Sequence, residues 1–303
     1  MAHWTVSDIP PQQGRSAVVT GTGGLGFEDA LALAHAGADV IIAGRNQAKG
    51  AEAVARIQAS VPDAKIRFEP VDLASQQSIA AFGARMRAGH GRLYLLINNA
   101  GVMMPPKRRV TADGFELQFG TNYLGHFALT AALLPLLRQG KNPRVVTLSS
   151  IAARNGTIDF DDPQAERAYR PMRVYNQSKL ACLMFALELQ RRSDAAGWGI
   201  ASLGAHPGIA RTDLIPNGAG RASLFGVMSR LLWFLFQPAA QGAQSTLFAA
   251  TAPDARGGAY YGPARMDETR GPPTLARVPR QAEDLQAASR LWTLSEQLTG
   301  ARF

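Results

Sequence analysis

Short apolar runs alternate along the chain with longer stretches whose apolar positions recur at helical spacing. Ser16–Gly21 (SAVVTG) is an apolar run closed by glycine. FEDALALAHAG follows it with an apolar face at a 3.6-residue period and Gly37 as its stop. Asp39–Gly44 (DVIIAG) reads as a second strand and AKGAEAVARIQAS as a second helix. Further strands are expected at Lys65–Leu73, Leu93–Gly101, Arg144–Ser150 and Gly199–Gly208, with a seventh, GAYYG, near Tyr260. Strands that are apolar throughout need cover on both faces of their sheet. Strands separated by one helix each pair in parallel through right-handed crossovers. The expectation is a doubly wound α/β fold with a parallel sheet of about seven strands. No repeat or low-complexity linker divides the sequence, so residues 1–303 are read as one domain. NGTIDFDDPQAERAYRPMR reads as a surface insertion, and residues 213–240 as a helical lid.

The turns at the strand ends carry the candidate chemistry. VVTGTGGLGFEDA sets Gly21, Gly23 and Gly26, with Thr22 and Leu25 between them, where the first strand passes into the first helix. That is the context in which Gly-x-Gly-x-x-Gly signals a dinucleotide-binding Rossmann fold: the backbone approaches a pyrophosphate and the helix N-terminus faces it. The second strand ends in AGRNQ, with Arg45 and Asn46 where an acid would hold a ribose hydroxyl. A guanidinium there suits a 2′-phosphate, favouring NADP, with NAD as the other cofactor to consider and a solvated loop arginine as the bland alternative. Asp72 and Leu73 end the third strand, placed to meet an adenine. Asn99, Ala100 and Gly101 end the fourth, small enough to let backbone lie on a ribose. Pro207, Gly208, Ile209 and Thr212 follow the sixth, near the nicotinamide and phosphates. Tyr175 and Lys179 lie four residues apart, one above the other if helical. Ser149 and Ser150 end the fifth strand, and Asn122 lies in a helical stretch.

Composition narrows the class. Hydrophobic residues make up 46% and charged residues 18% of 303, which excludes a disordered chain. The net charge of +9 is scattered, with one dense cluster at Lys107–Arg109. It reads as a basic surface that attracts an anionic cofactor, not as a nucleic-acid site. Cys182 is the single cysteine, so no internal disulfide or cysteine metal site is available. Its place in an apolar helical run makes it a core residue. The N-terminus has no basic-then-apolar signal pattern, and the run LLWFLFQ is far shorter than the roughly 20 residues that span a bilayer. A soluble, cytoplasmic protein without stable membrane insertion is expected.

TGTGGLG, NNAG, the asparagine of TNYLGHF, LSS, YNQSK and HPGIART occur in that order over residues 16–212. Together they resemble the short-chain dehydrogenase/reductase family. LINNAGVMMPP, the DFDDP insertion, YNQSKLACLMFALEL and LWTLSEQLTG look like its branch of retinol dehydrogenases and protochlorophyllide-reductase-like enzymes. The resemblance implies that Tyr175 is the general acid/base, that Lys179 favours its ionised form and binds the nicotinamide ribose, and that Ser150 steadies the substrate oxygen. It also implies that Asn122 holds a water linking Lys179 to solvent. Ser149 is the rival for the serine role. One departure stands out: only Thr22 and Gly23 separate Gly21 from Gly24, one residue fewer than the family's usual turn. The function implied is hydride transfer between NADP and a carbonyl or alcohol of a hydrophobic small molecule. The shortened turn keeps a second reading open, a non-catalytic dinucleotide sensor or scaffold.

Other residues receive plainer readings. SLFGVMSRLLWFLF is read as a lid over an apolar substrate, with a contact in a homo-oligomer and a membrane-surface helix as alternatives. His206 is read as a packed or solvated histidine and His126 as a helix residue with no evident partner. Met103 and Met104 are pocket or core residues. Asp161 and Asp162 mark a turn, not a metal site. Leu285, Ala288, Leu291, Trp292 and Leu298 form a stripe that packs a C-terminal helix on the body.

Overall fold

A computed structural model describes residues 4–210 and 237–303. Residues 213–236 of the expected lid, and Thr212, lie outside the described residues. The strands are β1 (Ser16–Thr20), β2 (Asp39–Gly44), β3 (Ile66–Pro70), β4 (Leu95–Asn98), β5 (Arg144–Leu148), β6 (Ala201–Ala205), β7 (Tyr260–Arg265) and β8 (Arg270–Leu275). They form one sheet in the order β3-β2-β1-β4-β5-β6-β7-β8. Every neighbouring pair is parallel except β7 and β8. The helices are α1 (Gly24–His35), α2 (Gln47–Ser60), α3 (Gln76–Gly89), α4 (Gly125–Leu137), α5 (Pro171–Ala196), α6 (Ala239–Thr251) and α7 (Leu285–Thr299).

The two-residue period of a strand divides the core between two faces. Ala17 and Val19 of β1 point toward α1, α2 and α6, where Leu33, Ile57 and Leu247 close one core. Val18 points the other way, into the larger core of α3, α4, α5 and α7. Cys182 is buried there, as its apolar surroundings in the sequence imply. Trp292 of α7 lies 5.0 Å from Phe127, 5.8 Å from Phe185 and 4.5 Å from Phe303 between ring centroids. That cluster anchors the C-terminal helix. Leu285 departs from the expected stripe: it is exposed, because it is the first helical residue beyond the Asp284 cap, before the buried face begins.

The eighth strand is an addition to the expected seven. RGPPTL carries two prolines that remove ladder donors, so it does not read as a strand in the sequence. Its place at the sheet edge, antiparallel to β7, is where proline is tolerated. The expected insertion has no regular element between residues 156 and 170. Asp162 organises its turn, accepting from the N–H groups of Glu166 at 2.8 Å and Arg167 at 3.0 Å.

Asp29 breaks the apolar pattern of α1. It is 0% exposed, and neither carboxylate oxygen has a partner among the described residues. Burial pushes its pKa well above the ordinary carboxylate value, and nearby Glu28 adds to the effect. Its contribution to stability is therefore complete below the unfolded value of about 3.9 and is lost as pH rises through the folded one. Asp29→Ala is expected to raise stability at neutral pH by about 1–3 kcal/mol, since an orphaned buried polar group is removed. The gain should shrink near pH 4, as urea unfolding at the two pH values would measure.

Candidate functional site

The strand order reverses between β1 and β4, which opens a crevice at their carboxyl ends. Gly21 leaves β1 at φ +103°, a conformation that favours glycine. A Cβ on Gly26 would sit 2.6 Å from Asn99 Nδ2 and 2.8 Å from the Gly21 carbonyl, so only glycine lets α1 begin this close to β4. Gly23 is the N-cap of α1, and no side chain caps the helix. A Cβ there would meet nothing within 4 Å. Thr22 and Leu25 are half-buried beside it. The start of α1 therefore has no side-chain cap and has room beside Gly23 among the described residues, a setting that fits a pyrophosphate.

Around this turn the predicted cofactor residues gather. Arg45 follows β2, exposed and without a hydrogen-bond or ion-pair partner among the described residues. Asn46 serves the fold, since its side chain caps α2 by accepting from the Lys49 N–H at 2.9 Å. Asp72 accepts from the Ala74 N–H at 2.9 Å, and Leu73 is buried against the Gly125 backbone. Asn99 Nδ2 donates to the Thr20 carbonyl at 2.7 Å, tying the ends of β1 and β4 together. Ala100 and Gly101 continue along the crevice, half-buried. Pro207, Gly208 and Ile209 lie beyond β6, where the Ile209 N–H donates to the Thr269 carbonyl at 2.8 Å and Gln237 donates to the Pro207 carbonyl.

Lys179 and Tyr175 occupy successive turns of α5. Pro171 at the helix start and Gly197 at φ +64° after its end delimit the element. Lys179 is 5% exposed, and its Nζ donates to the Leu148 carbonyl at 3.1 Å. Two of its three donors are left over. A Cβ on Gly101 would lie 3.7 Å from the same nitrogen, so α5 reaches the end of β4. Tyr175 is 4% exposed, and its hydroxyl has no partner among the described residues and is not sealed from solvent. The two serines separate clearly. Ser149 is buried and spends its hydroxyl on the Lys179 carbonyl at 2.7 Å. Ser150 is half-buried and caps the 3-10 turn Ile151–Asn155, its Oγ accepting from the Ala152 N–H at 3.2 Å. Its hydroxyl proton remains available.

Asn122 lies in a π-helical turn, Phe119–Leu124, that runs into α4. Both amide hydrogens are in use: Nδ2 donates to the Val102 carbonyl and to Ser178 Oγ, each at 3.0 Å. Oδ1 accepts from the Val102 N–H at 2.7 Å. The amide thus clamps the segment after β4 to α5, and one lone pair of Oδ1 is left for a water.

Sequence reasoning missed several contacts because their partners are distant in the chain. His126 does have partners, Thr20 and the Asn122 carbonyl, the former 106 residues away. Gln118 joins Met104, Tyr169 and Pro171, linking the segment after β4 to the insertion. His206 is buried, and its Nδ1 accepts from the Gly208 N–H, so Nε2 donates to Glu268 at 3.0 Å. Burial draws the His206 imidazole down, against the pull of Glu268. Burial opposes the Glu268 charge, but the bonds from His206 and the Arg277 N–H, with Arg154 beside them, hold its carboxyl down at about 2. Met266, Asp267 and Glu268 are three successive non-glycine residues at positive φ. That conformation costs roughly 1–2 kcal/mol per residue. The ion pairs of Arg154 and Arg277 with Asp267, at 2.7 and 2.6 Å, help to hold it.

The profile of the family described as short chain dehydrogenase matches residues 15–218. A polyprenol dehydrogenase from Mus musculus is 40% identical over 97% of this chain and 86% of its own. A retinol dehydrogenase 12 from Mus musculus is 38% identical over 96% of this chain and 88% of its own. A crystal structure of an uncharacterized protein from Mycobacterium paratuberculosis is 38% identical, covers 100% of this chain and 99% of its own, and superposes with a TM-score of 0.82. The chain belongs to the short-chain dehydrogenase/reductase family, in its retinol-dehydrogenase-like branch. It is an NAD(P)-dependent oxidoreductase on a Rossmann fold that acts on a small molecule. Relatives that are dehydrogenases do not favour the sensor or scaffold reading. No helix among the described residues is long and apolar enough to cross a membrane.

Proposed function

We propose that this chain, acting as one dinucleotide-binding unit over residues 1–303, is an NADP(H)-preferring reductase or dehydrogenase of a hydrophobic carbonyl or alcohol. The observation that carries the reading is the pairing on α5: a tyrosine hydroxyl without a partner among the described residues stands one turn from a buried ammonium with two spare donors. Both lie at the sheet edge where Gly21 and Gly26 pack the turn tightly and Gly23 leaves space beside it for a dinucleotide. A bound nicotinamide dinucleotide supplies the hydride. The protein's own groups do the rest. Tyr175 gives its hydroxyl proton to the substrate oxygen during reduction and takes it back during oxidation. The Lys179 ammonium steadies the phenolate by charge and has a donor for the ribose. Ser150 donates to the oxygen as negative charge develops on it. Asn122 holds the segment after β4 against α5. Gly21, Thr22, Gly23, Leu25 and Gly26 cradle the phosphates, Asp72 and Leu73 border the adenine, and Asn99–Gly101 border the ribose. Pro207, Gly208 and Ile209 would meet the nicotinamide end, with Thr212 beside them in sequence.

The cofactor preference rests on Arg45, an exposed guanidinium without a partner among the described residues, where an acid would select NAD. The substrate class rests on relatives named for polyprenol and retinol, both long apolar alcohols. The purified protein is expected to oxidise NADPH with an apolar aldehyde or ketone, and NADH more slowly. Arg45→Ala should raise the KM for NADPH by about 10- to 100-fold, the worth of a charge-assisted contact to phosphate, and leave that for NADH nearly unchanged. Equal losses with both cofactors would remove Arg45 from the preference.

A further inference from the structure

His126 opens the first full turn of α4 and is 2% exposed. Both ring nitrogens are engaged. Nδ1 lies 2.8 Å from the Asn122 carbonyl oxygen, which can only accept, so Nδ1 carries the hydrogen. Nε2 lies 2.9 Å from Thr20 Oγ1. In a neutral ring that nitrogen accepts, so the Thr20 hydroxyl donates to it; the other acceptor within reach, the Ile97 carbonyl, is more distant at 3.3 Å. Burial lowers the His126 pKa to about 4, and the nearby Lys179 charge lowers it too, which keeps the ring neutral.

Each end of this bridge continues. Thr20 Oγ1 accepts from the backbone N–H groups of Asn99 at 2.9 Å and Ala100 at 3.0 Å, the segment that borders the cofactor crevice. From Asn122, Nδ2 donates to Ser178 Oγ at 3.0 Å, and that hydroxyl donates to the Tyr175 carbonyl at 2.8 Å. One directed series of hydrogen bonds therefore runs from the end of β4 through Thr20, His126, Asn122 and Ser178 to the residue that bears the phenol. Its members come from four separate parts of the sequence. The series passes through both the carbonyl and the side-chain amide of Asn122, whose second amide hydrogen goes to Val102. Reversing the His126 ring would leave its Nδ1 facing the Asn122 carbonyl with no hydrogen between them.

We propose that His126, as the neutral Nδ1–H tautomer, is a positioning residue that fixes the cofactor crevice at β1 and β4 relative to Tyr175 and Lys179 on α5. The inference rests on the roles proposed above for those two residues. Sub-ångström placement of reacting groups decides rates, and a displacement of about 1 Å can cost about 100-fold. The ring sets that spacing without contacting substrate or cofactor.

Two measurements test this. In the free protein, 15N-labelled histidine should give His126 ring shifts of a neutral Nδ1–H tautomer, unchanged between about pH 5 and pH 9. An Nε2–H tautomer, or a ring that titrates in that range, would overturn the proposal. In the second, His126→Phe keeps the ring volume and removes both bonds, whereas His126→Asn keeps an amide N–H for the Asn122 carbonyl. With NADPH deuterated at the transferred position, the Phe variant should lose about 10- to 100-fold in kcat and gain a larger kinetic isotope effect, with KM for the carbonyl little changed. The Asn variant should recover part of the kcat, and it carries the test alone if the Phe variant does not fold. A change confined to the yield of active protein, with kcat per active site and isotope effect at parental values, would sink the idea. Absence of turnover in the parent would count against the proposed function instead, and the tautomer measurement would still decide the role of the ring.

Discussion

Tyr175→Phe is expected to lower kcat by about 10²–10⁴-fold, the usual worth of a positioned general acid. The fold should be unaffected. The ring is buried, but the hydroxyl it would lose has no protein partner among the described residues, so its removal orphans nothing. Thermal unfolding and NADPH binding should therefore match the parent while carbonyl reduction nearly vanishes. A variant that retains most of its turnover would show that the proton comes from elsewhere. Ser150 would be the next donor to examine, because Ser149 is already committed to the Lys179 carbonyl.

The second large effect is expected at the glycine turn. In Gly26→Ala the new Cβ would meet Asn99 Nδ2 at 2.6 Å, the Gly21 carbonyl at 2.8 Å and the Thr20 carbonyl at 3.2 Å. Two of those atoms are backbone and cannot swing away. Relief requires moving α1 from the end of β1, at a cost of about 1–3 kcal/mol, as for other overpacked sites. The same movement takes the α1 N-terminus from the crevice, so dinucleotide affinity should fall together with stability. Gly23→Ala is the informative companion. Its Cβ meets no atom of the described residues within 4 Å, so stability should change by about 1 kcal/mol or less while the pyrophosphate space is narrowed. Chemical denaturation and fluorescence titration with NADPH would separate the two variants. Gly26→Ala with parental stability would mean that α1 and the end of β1 are less closely joined than these distances imply.

What can be read from the sequence, and what cannot, follows the range of the interactions involved. Most strands from β1 to β7 announce themselves as local apolar runs, β3 less so because Arg67 and Glu69 interrupt it, and the parallel order follows from the helices between them. Tyr175 and Lys179 share a helix face by spacing alone, and the shortened turn at Gly21–Gly24 is visible by counting. β8 is hidden because its prolines look like loop signals until the strand is known to lie on an edge. His126 looks idle in the sequence because its partner Thr20 is 106 residues away, and no local pattern links a threonine before a glycine turn to a histidine in a later helix. Asn122 reads as a water holder, since an amide in a helix has no announced partner; the fold brings Val102 and Ser178 to it. Asp29 draws no notice in the sequence as one polar position of α1, and only the fold shows that it is fully buried.

The proline-bearing strand at the rim has a consequence for how copies of this chain can meet. Pro272 and Pro273 are consecutive, so one of their missing amide hydrogens is lost from the side facing β7 and the other from the outer side of β8. A continuous intermolecular ladder along that border would lack one of its bonds, which weakens such growth.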